Sequence, residues 1–143
     1  VASLTHDTID LQAMYDLVAT PTAGAIVTFS GVTRQLTAGR ETESLDYEAY
    51  GEMALAKLNQ LEQTAQQRWP IEKCAITHRL GHLEIGEASV VVAVSSAHRA
   101  ASFEAGKWLI DTLKEEVPIW KRENWSDGST DWVHPGLPTG DAS

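Results

Sequence analysis

The sequence predicts an α+β domain with a largely antiparallel sheet. Apolar residues recur at helical spacing in three stretches, around Leu11–Val18, Ala54–Ala65 and Phe103–Leu113. Between them lie alternating or β-branched apolar runs, of which Val90–Val94 is the strongest. The two kinds of segment are mixed, yet their order is not the regular βαβα succession of a parallel sheet.

Each element has its own signal. A first helix follows Asp7 or Thr8 as N-cap, with Leu11, Met14, Tyr15 and Val18 on one face, and ends before Pro21. Ala25 to Phe29 reads as a buried strand, and Gly31 to Arg40, rich in Thr and Gly, as a loop. Leu45, Tyr47 and Ala49 alternate with polar residues, as a half-buried strand requires. Ala54, Leu58, Leu61 and Ala65 mark a long amphipathic helix that stops near Trp69-Pro70. Cys74 to His78 alternates again, with Gly81 and Gly86 as turn points. Ser89 to Ser96 reads as a strand covered on both faces. Phe103, Leu109, Ile110 and Leu113 outline a third helix, closed by Val117-Pro118. An irregular aromatic tail with Trp120, Trp125 and Trp132 follows.

A chain of 143 residues, 43% of them hydrophobic, suits one domain spanning 1–143. It carries 11 Lys+Arg against 20 Asp+Glu, a formal charge of -9. Such a balance argues against non-specific nucleic-acid binding and against docking on an anionic membrane. No apolar run approaches the roughly 20 residues of a membrane helix, and residues 1–7 lack the pattern of a signal peptide. The single cysteine, Cys74, allows neither an internal disulfide nor a four-thiolate metal site, so a reducing cytoplasm is expected. All lysines and arginines lie from Arg34 to Arg122. An acidic protein that handles an anion must focus its positive charge, and this stretch is where it can.

Three polar clusters are candidates. Ser95-Ser96-Ala97-His98-Arg99 stands between the strongest strand and the third helix, where backbone N–H groups and two basic side chains can hold an anion. Helix capping explains the same residues, and more simply. Lys114 with Pro118-Ile-Trp-Lys121-Arg122-Glu123 places adjacent cations among aromatics. A lysine desolvated by apolar walls and a neighbouring cation becomes a better base. Surface charge and a dipole-complementing Lys114 fit equally well. Phe29-Ser-Gly-Val32-Thr33-Arg34 offers a glycine for close approach and an arginine for phosphate, though an ordinary strand exit looks the same and P-loop spacing is absent. His78 and His82 do not share a helix face and make a poor zinc pair. Cys74 reads as a packed core thiol, and Tyr47 and Tyr50 as wall or core.

These segments occur together and in one order: Phe29–Arg34, Leu45-Asp-Tyr-Glu-Ala-Tyr50, His78-Arg-Leu-Gly81, Ser96-Ala-His-Arg99, Ile110-Asp-Thr-Leu-Lys114, Val117-Pro-Ile-Trp-Lys-Arg-Glu123 and Trp132-Val133. In this the chain resembles the MoaE family, the large catalytic subunits of molybdopterin synthase, across nearly its whole length. His98-Arg99 followed by Pro118-Ile-Trp-Lys121 is the most specific part.

The resemblance implies an α/β-hammerhead fold with an antiparallel subdomain, and a homodimer that gains two small ubiquitin-like subunits to make a heterotetramer. Each small subunit would bring sulfur as a thiocarboxylate on its C-terminal Gly-Gly. The substrate would be cyclic pyranopterin monophosphate, called precursor Z, converted to the dithiolene of molybdopterin. No metal, nucleotide or other cofactor is expected. Lys121 would be the main catalytic lysine and Lys114 would lie beside the thiocarboxylate. Val32, Thr33, Arg34, His98, Arg99, Lys114, Lys121, Arg122 and Glu123 would line the substrate site. Family members often carry arginine near the tail, whereas here no lysine or arginine follows Arg122, and Arg40 is the candidate to compensate. The competing reading is a non-catalytic module that holds a ubiquitin-like tail or an anionic metabolite.

Overall fold

The computed structural model describes residues 1–134. In chain order its elements are β1 (Ala2–Thr5), α1 (Leu11–Val18), β2 (Ala25–Val32), β3 (Leu36–Thr37), β4 (Arg40–Ala49), α2 (Gly51–Arg68), β5 (Ile71–Arg79), β6 (Gly81–Glu84), β7 (Ala88–Ser96), α3 (Arg99–Glu116), β8 (Ile119–Trp125) and β9 (Thr130–Val133). The expected α+β class holds, with antiparallel pairing throughout except where β1 lies parallel to β5.

The first sheet has the order β1-β5-β7-β2. Its inner strand β7 carries the β-branched run Val90–Val94, buried on both faces. One face packs on α1, where Met14 and Val18 meet Ala75, Val91 and Ala93. The other packs on α2 and α3, where Leu58, Leu61, Leu109 and Leu113 meet Ile76, Val92 and Val94. Sandwiching between helices also explains β5, whose residues Cys74–His78 are all buried instead of alternating as expected. The second sheet has the order β3-β4-β8-β9, with β6 also paired to β4.

Several expectations are corrected. The cap of α1 is Asp10, whose side chain accepts from the Ala13 N–H, and not Asp7 or Thr8. Strand β2 is an edge strand, half open to solvent at Phe29 and Val32, and it runs past Gly31. The stretch read as a loop to Arg40 holds a β3–β4 hairpin, turned by Ala38 and Gly39 at positive φ. Phe103 is exposed; the buried face of α3 there is built from Ala101, Ser102, Ala105 and Gly106, which let the helix lie close on the sheet. The aromatic tail is not irregular: Trp120 and Trp125 belong to β8 and Trp132 to β9. The tail beyond residue 134 lies outside the described residues.

This architecture brings the sheets together at one end of the molecule. Helix α3 starts beside the end of β7 and runs back to the level of its start. The turn at Val117-Pro118 then delivers β8 into the second sheet. The C-terminal end of α3, the exit of β2 and the inward face of β8 therefore converge.

Candidate active site

Strand β8 alternates without exception: Ile119, Lys121, Glu123 and Trp125 are buried, and Trp120, Arg122 and Asn124 are only partly so. Period-2 geometry thus sends Lys121 and Glu123 inward together. They line a narrow cavity of about 30 Å³ with Gly31, Val32, Arg34, Tyr47, Ser89 and Lys114. Gly31 is needed there, since a Cβ would come within 2.9 Å of the Val90 side chain. The cavity adjoins a cleft of about 340 Å³ that shares Thr37, Lys121 and Glu123 and is bounded beyond them by Arg40, Trp125 and Asp131. Arg40 stacks on the Trp125 ring at 3.9 Å and sits 3.6 Å from carboxylate oxygens of Asp127 and Asp131.

The charges in the cavity are strongly coupled. Lys121 is only 4% exposed, and its ammonium lies 3.4 Å from Glu123 Oε1. Thr42 Oγ1 donates to the other carboxylate oxygen of Glu123 at 3.0 Å and is itself in hydrogen-bond contact with Thr37. Burial pushes the Lys121 pKa below the ordinary lysine value; Glu123 opposes this, and the charges of Lys114 and Arg34 add to it. Lys114 is lowered as well, first by burial and then by Arg34. Two lysines whose neutral amines are within easier reach thus share a cavity with a guanidinium and one carboxylate.

The segment before Arg34 is fixed by its backbone. Thr33 donates to the Glu87 carbonyl at 2.9 Å and accepts from the Gly86 N–H at 2.8 Å. Its hydroxyl is buried and has no hydrogen-bond partner. Val32 stands half exposed at the rim.

Four expected site residues do not line this cavity, Thr33 among them. Arg122 projects from the other face of β8, where it bonds Asp46 at 2.8 Å and Asn124 at 3.0 Å and lies over the Trp132 ring. The cations that depress Lys121 are therefore Lys114 and Arg34 and not its chain neighbour. His98 and Arg99 are exposed at the N-terminal end of α3. Lys114 is fifteen residues further on the same helix, about 22 Å away by helical rise. Ser96 has a structural part at this junction, bonding the His98 carbonyl and the Ser102 hydroxyl.

The sequence reading missed Ser89 and Thr37 and gave Tyr47 only a wall's part. Tyr47 lies opposite Lys121 in the β4–β8 register, a pairing that becomes legible only when β8 is recognised as a strand. Cys74 sits on β5, away from the cavity, its thiol pushed up to about 12 by burial and by Glu62. Among the described residues no group of three or more His, Cys, Asp or Glu side chains is placed to hold a metal ion.

Comparison with known proteins gives a consistent result. The family model described as MoaE protein matches residues 4–116. The molybdopterin synthase catalytic subunit of Halalkalibacterium halodurans is 52% identical over 131 residues, covering 92% of this chain and 83% of that one. The crystal structure of molybdopterin synthase from Staphylococcus aureus superposes with a TM-score of 0.87 at 38% identity, covering 91% of this chain and 94% of that one. A complex of subunits 1 and 2 of molybdopterin-converting factor from Helicobacter pylori shares the fold, with a TM-score of 0.75 at 18% identity over 93% of this chain and 88% of that one.

Proposed function

The chain belongs to the MoaE family, and from that premise we propose that its Lys121 cavity moves sulfur from a partner's thiocarboxylate tail onto a cyclic pyranopterin monophosphate. The catalytic role in molybdenum cofactor biosynthesis follows from the family. Its chemistry is proposed as follows. Sulfur leaves the acyl carbon of a Gly-Gly tail for a carbon of the pterin side chain and displaces an oxygen there: at one carbon the ester oxygen of the cyclic phosphate, which stays on the phosphate as the ring opens, and at the other an oxygen released as water. Water replaces the sulfur on each tail, which departs as a carboxylate. Two such transfers make the dithiolene. Negative charge develops on the acyl oxygen and on the leaving oxygen, and groups that hold it must stand ready in a dry site.

One observation carries this reading. In a protein of formal charge -9, Arg34, Lys114 and Lys121 converge on a single cavity, and both lysines are desolvated. Lys121, the most buried of the three, takes the proton-transfer or charge-stabilising part. Lys114 takes the thiocarboxylate, and Arg34 with Thr33 and Val32 the phosphate side of the substrate. Glu123 holds Lys121. The inert thiol of Cys74 supports an external sulfur donor.

His98 and Arg99 would serve this cavity from a second copy of the chain, since within one copy the length of α3 keeps them apart. The proposed assembly is a homodimer with a small ubiquitin-like carrier at each site; the Helicobacter complex of subunits 1 and 2 supports a second kind of subunit. Its compartment is the cytoplasm, in keeping with a single buried thiol. None of the described helices is long and apolar enough to cross a membrane.

Calorimetry tests the division of labour. Arg34→Ala and Arg99→Ala should each weaken precursor binding by about 1.5–3 kcal/mol, the worth of a charge-assisted hydrogen bond. Carrier binding should change much less. Equal losses for both ligands would contradict the assignment.

A further inference from the structure

The inward face of β4 holds a side chain to which neither the family resemblance nor the comparisons give a part. Tyr47 lies directly opposite Lys121 in the antiparallel β4–β8 pair. Side chains so placed start about 5 Å apart at their Cβ atoms. Both line the same cavity.

The phenol ring is held firmly. It is 9% exposed and packs edge-on against the His78 imidazole, with centroids 5.0 Å apart at 68°. His78 is itself fixed by a 2.7 Å hydrogen bond from Nδ1 to the Arg79 carbonyl, which can only accept. The Ser89 side chain lines the same cavity and is near enough to act on the Tyr47 hydroxyl. Ser89 has one proton, and donates it to the Gly31 carbonyl at 3.2 Å. With that proton so placed, Ser89 can meet the phenol only as an acceptor, and a phenol O–H turned toward it keeps its oxygen lone pairs. What Tyr47 has left to offer the cavity is an oxygen lone pair.

We propose that Tyr47 is a positioning residue for Lys121: its phenolic oxygen accepts a hydrogen bond from the Lys121 ammonium and, with Glu123 on the other side, aims that amine at the reacting atoms. This rests on the function proposed above. A neutral acceptor suits the place. A second carboxylate would raise the lysine pKa and repel an anionic tail and an anionic phosphate. The phenol stays neutral, because burial and then the charge of Glu123 push its pKa above the ordinary tyrosine value. Lysine has three donors and a flexible stem, so two fixed acceptors narrow its geometry far more than one.

The test compares Tyr47→Phe with wild type in two ways. Turnover with thiocarboxylated carrier should lose about tenfold in kcat, one hydrogen bond to a charged group, with the KM for precursor unchanged. A 13C-lysine NMR titration of the resting protein should show the Lys121 pKa lower than in wild type, since a group favouring the ammonium has gone. Tyr50→Phe, exposed and outside the cavity, should match wild type in both. A Tyr47→Phe protein with wild-type kcat and an unmoved Lys121 titration overturns the proposal. So does a loss confined to KM, which would place the phenol on the substrate. If wild type transfers no sulfur, the proposed function fails, and the titration still decides the Tyr47–Lys121 contact.

Discussion

At Lys121, burial and two nearby cations work against the ammonium, while Glu123 at 3.4 Å works for it. The balance leaves a lysine that can give up its proton more readily than one in water and still be recharged during a reaction. Lys121→Ala should therefore lose roughly a hundredfold or more in single-turnover rate, the scale of a general acid–base group. Lys121→Arg should recover little, because a guanidinium does not release protons near neutrality. A near-wild-type rate for Lys121→Arg would reassign Lys121 to a purely electrostatic part. The sequence singled out Lys121 through its motif but did not show its surroundings. Adjacent cations in a sequence suggest one clamp, whereas a strand sends neighbours to opposite faces, so Arg122 went to Asp46 and Trp132 instead.

Strands whose inward residues are charged leave no apolar alternation to read, and β8, with Lys121 and Glu123 among its buried positions, is of this kind. Its sequence looked like an irregular tail for that reason. Helices α1, α2 and α3 and strand β7 were legible because their buried faces are apolar throughout or nearly so. Strand β5 was legible as a strand, but its double burial depends on α1 and α2 covering opposite faces, which no local pattern records. That burial has a consequence for His78 on β5. Desolvation lowers its pKa from 6.5 to about 4 in the folded protein. The unfolded chain then binds a proton between those values while the folded one does not. Stability from this group is fully present above about pH 6.5 and is lost as pH falls toward 4, about 3 kcal/mol in all. Chemical denaturation from pH 7.5 to 4.5 should show this loss in wild type, and His78→Gln should show a shallower one. Parallel curves for the two proteins would place His78 in a solvated site.

The whole molecule is acidic, yet Arg34, Lys114 and Lys121, three of its 11 lysines and arginines, meet where α3, β2 and β8 converge. Sequence alone confined the charge to a stretch of chain; the path of α3 back along β7 brought these three cations from it into one cavity. The same path put His98 and Arg99 at the far end, so under the proposed function a second copy would bring them to the site. Light scattering should show a dimer. Mixing Lys121→Ala with Arg99→Ala protein, each impaired alone, should restore activity in the mixed dimers that carry one intact site. A stable monomer, or no recovery on mixing, would leave each site to a single chain. The central claim, that this cavity transfers sulfur and does not merely hold a tail, is tested most directly by following labelled sulfur. A carrier with a 35S-thiocarboxylate is mixed with precursor and protein in a single turnover. The label should pass to the pterin with wild type and with Cys74→Ser, and remain on the carrier with Lys121→Ala. If wild type binds carrier and precursor and the label stays on the tail, the chain is a binding module and the catalytic account is wrong.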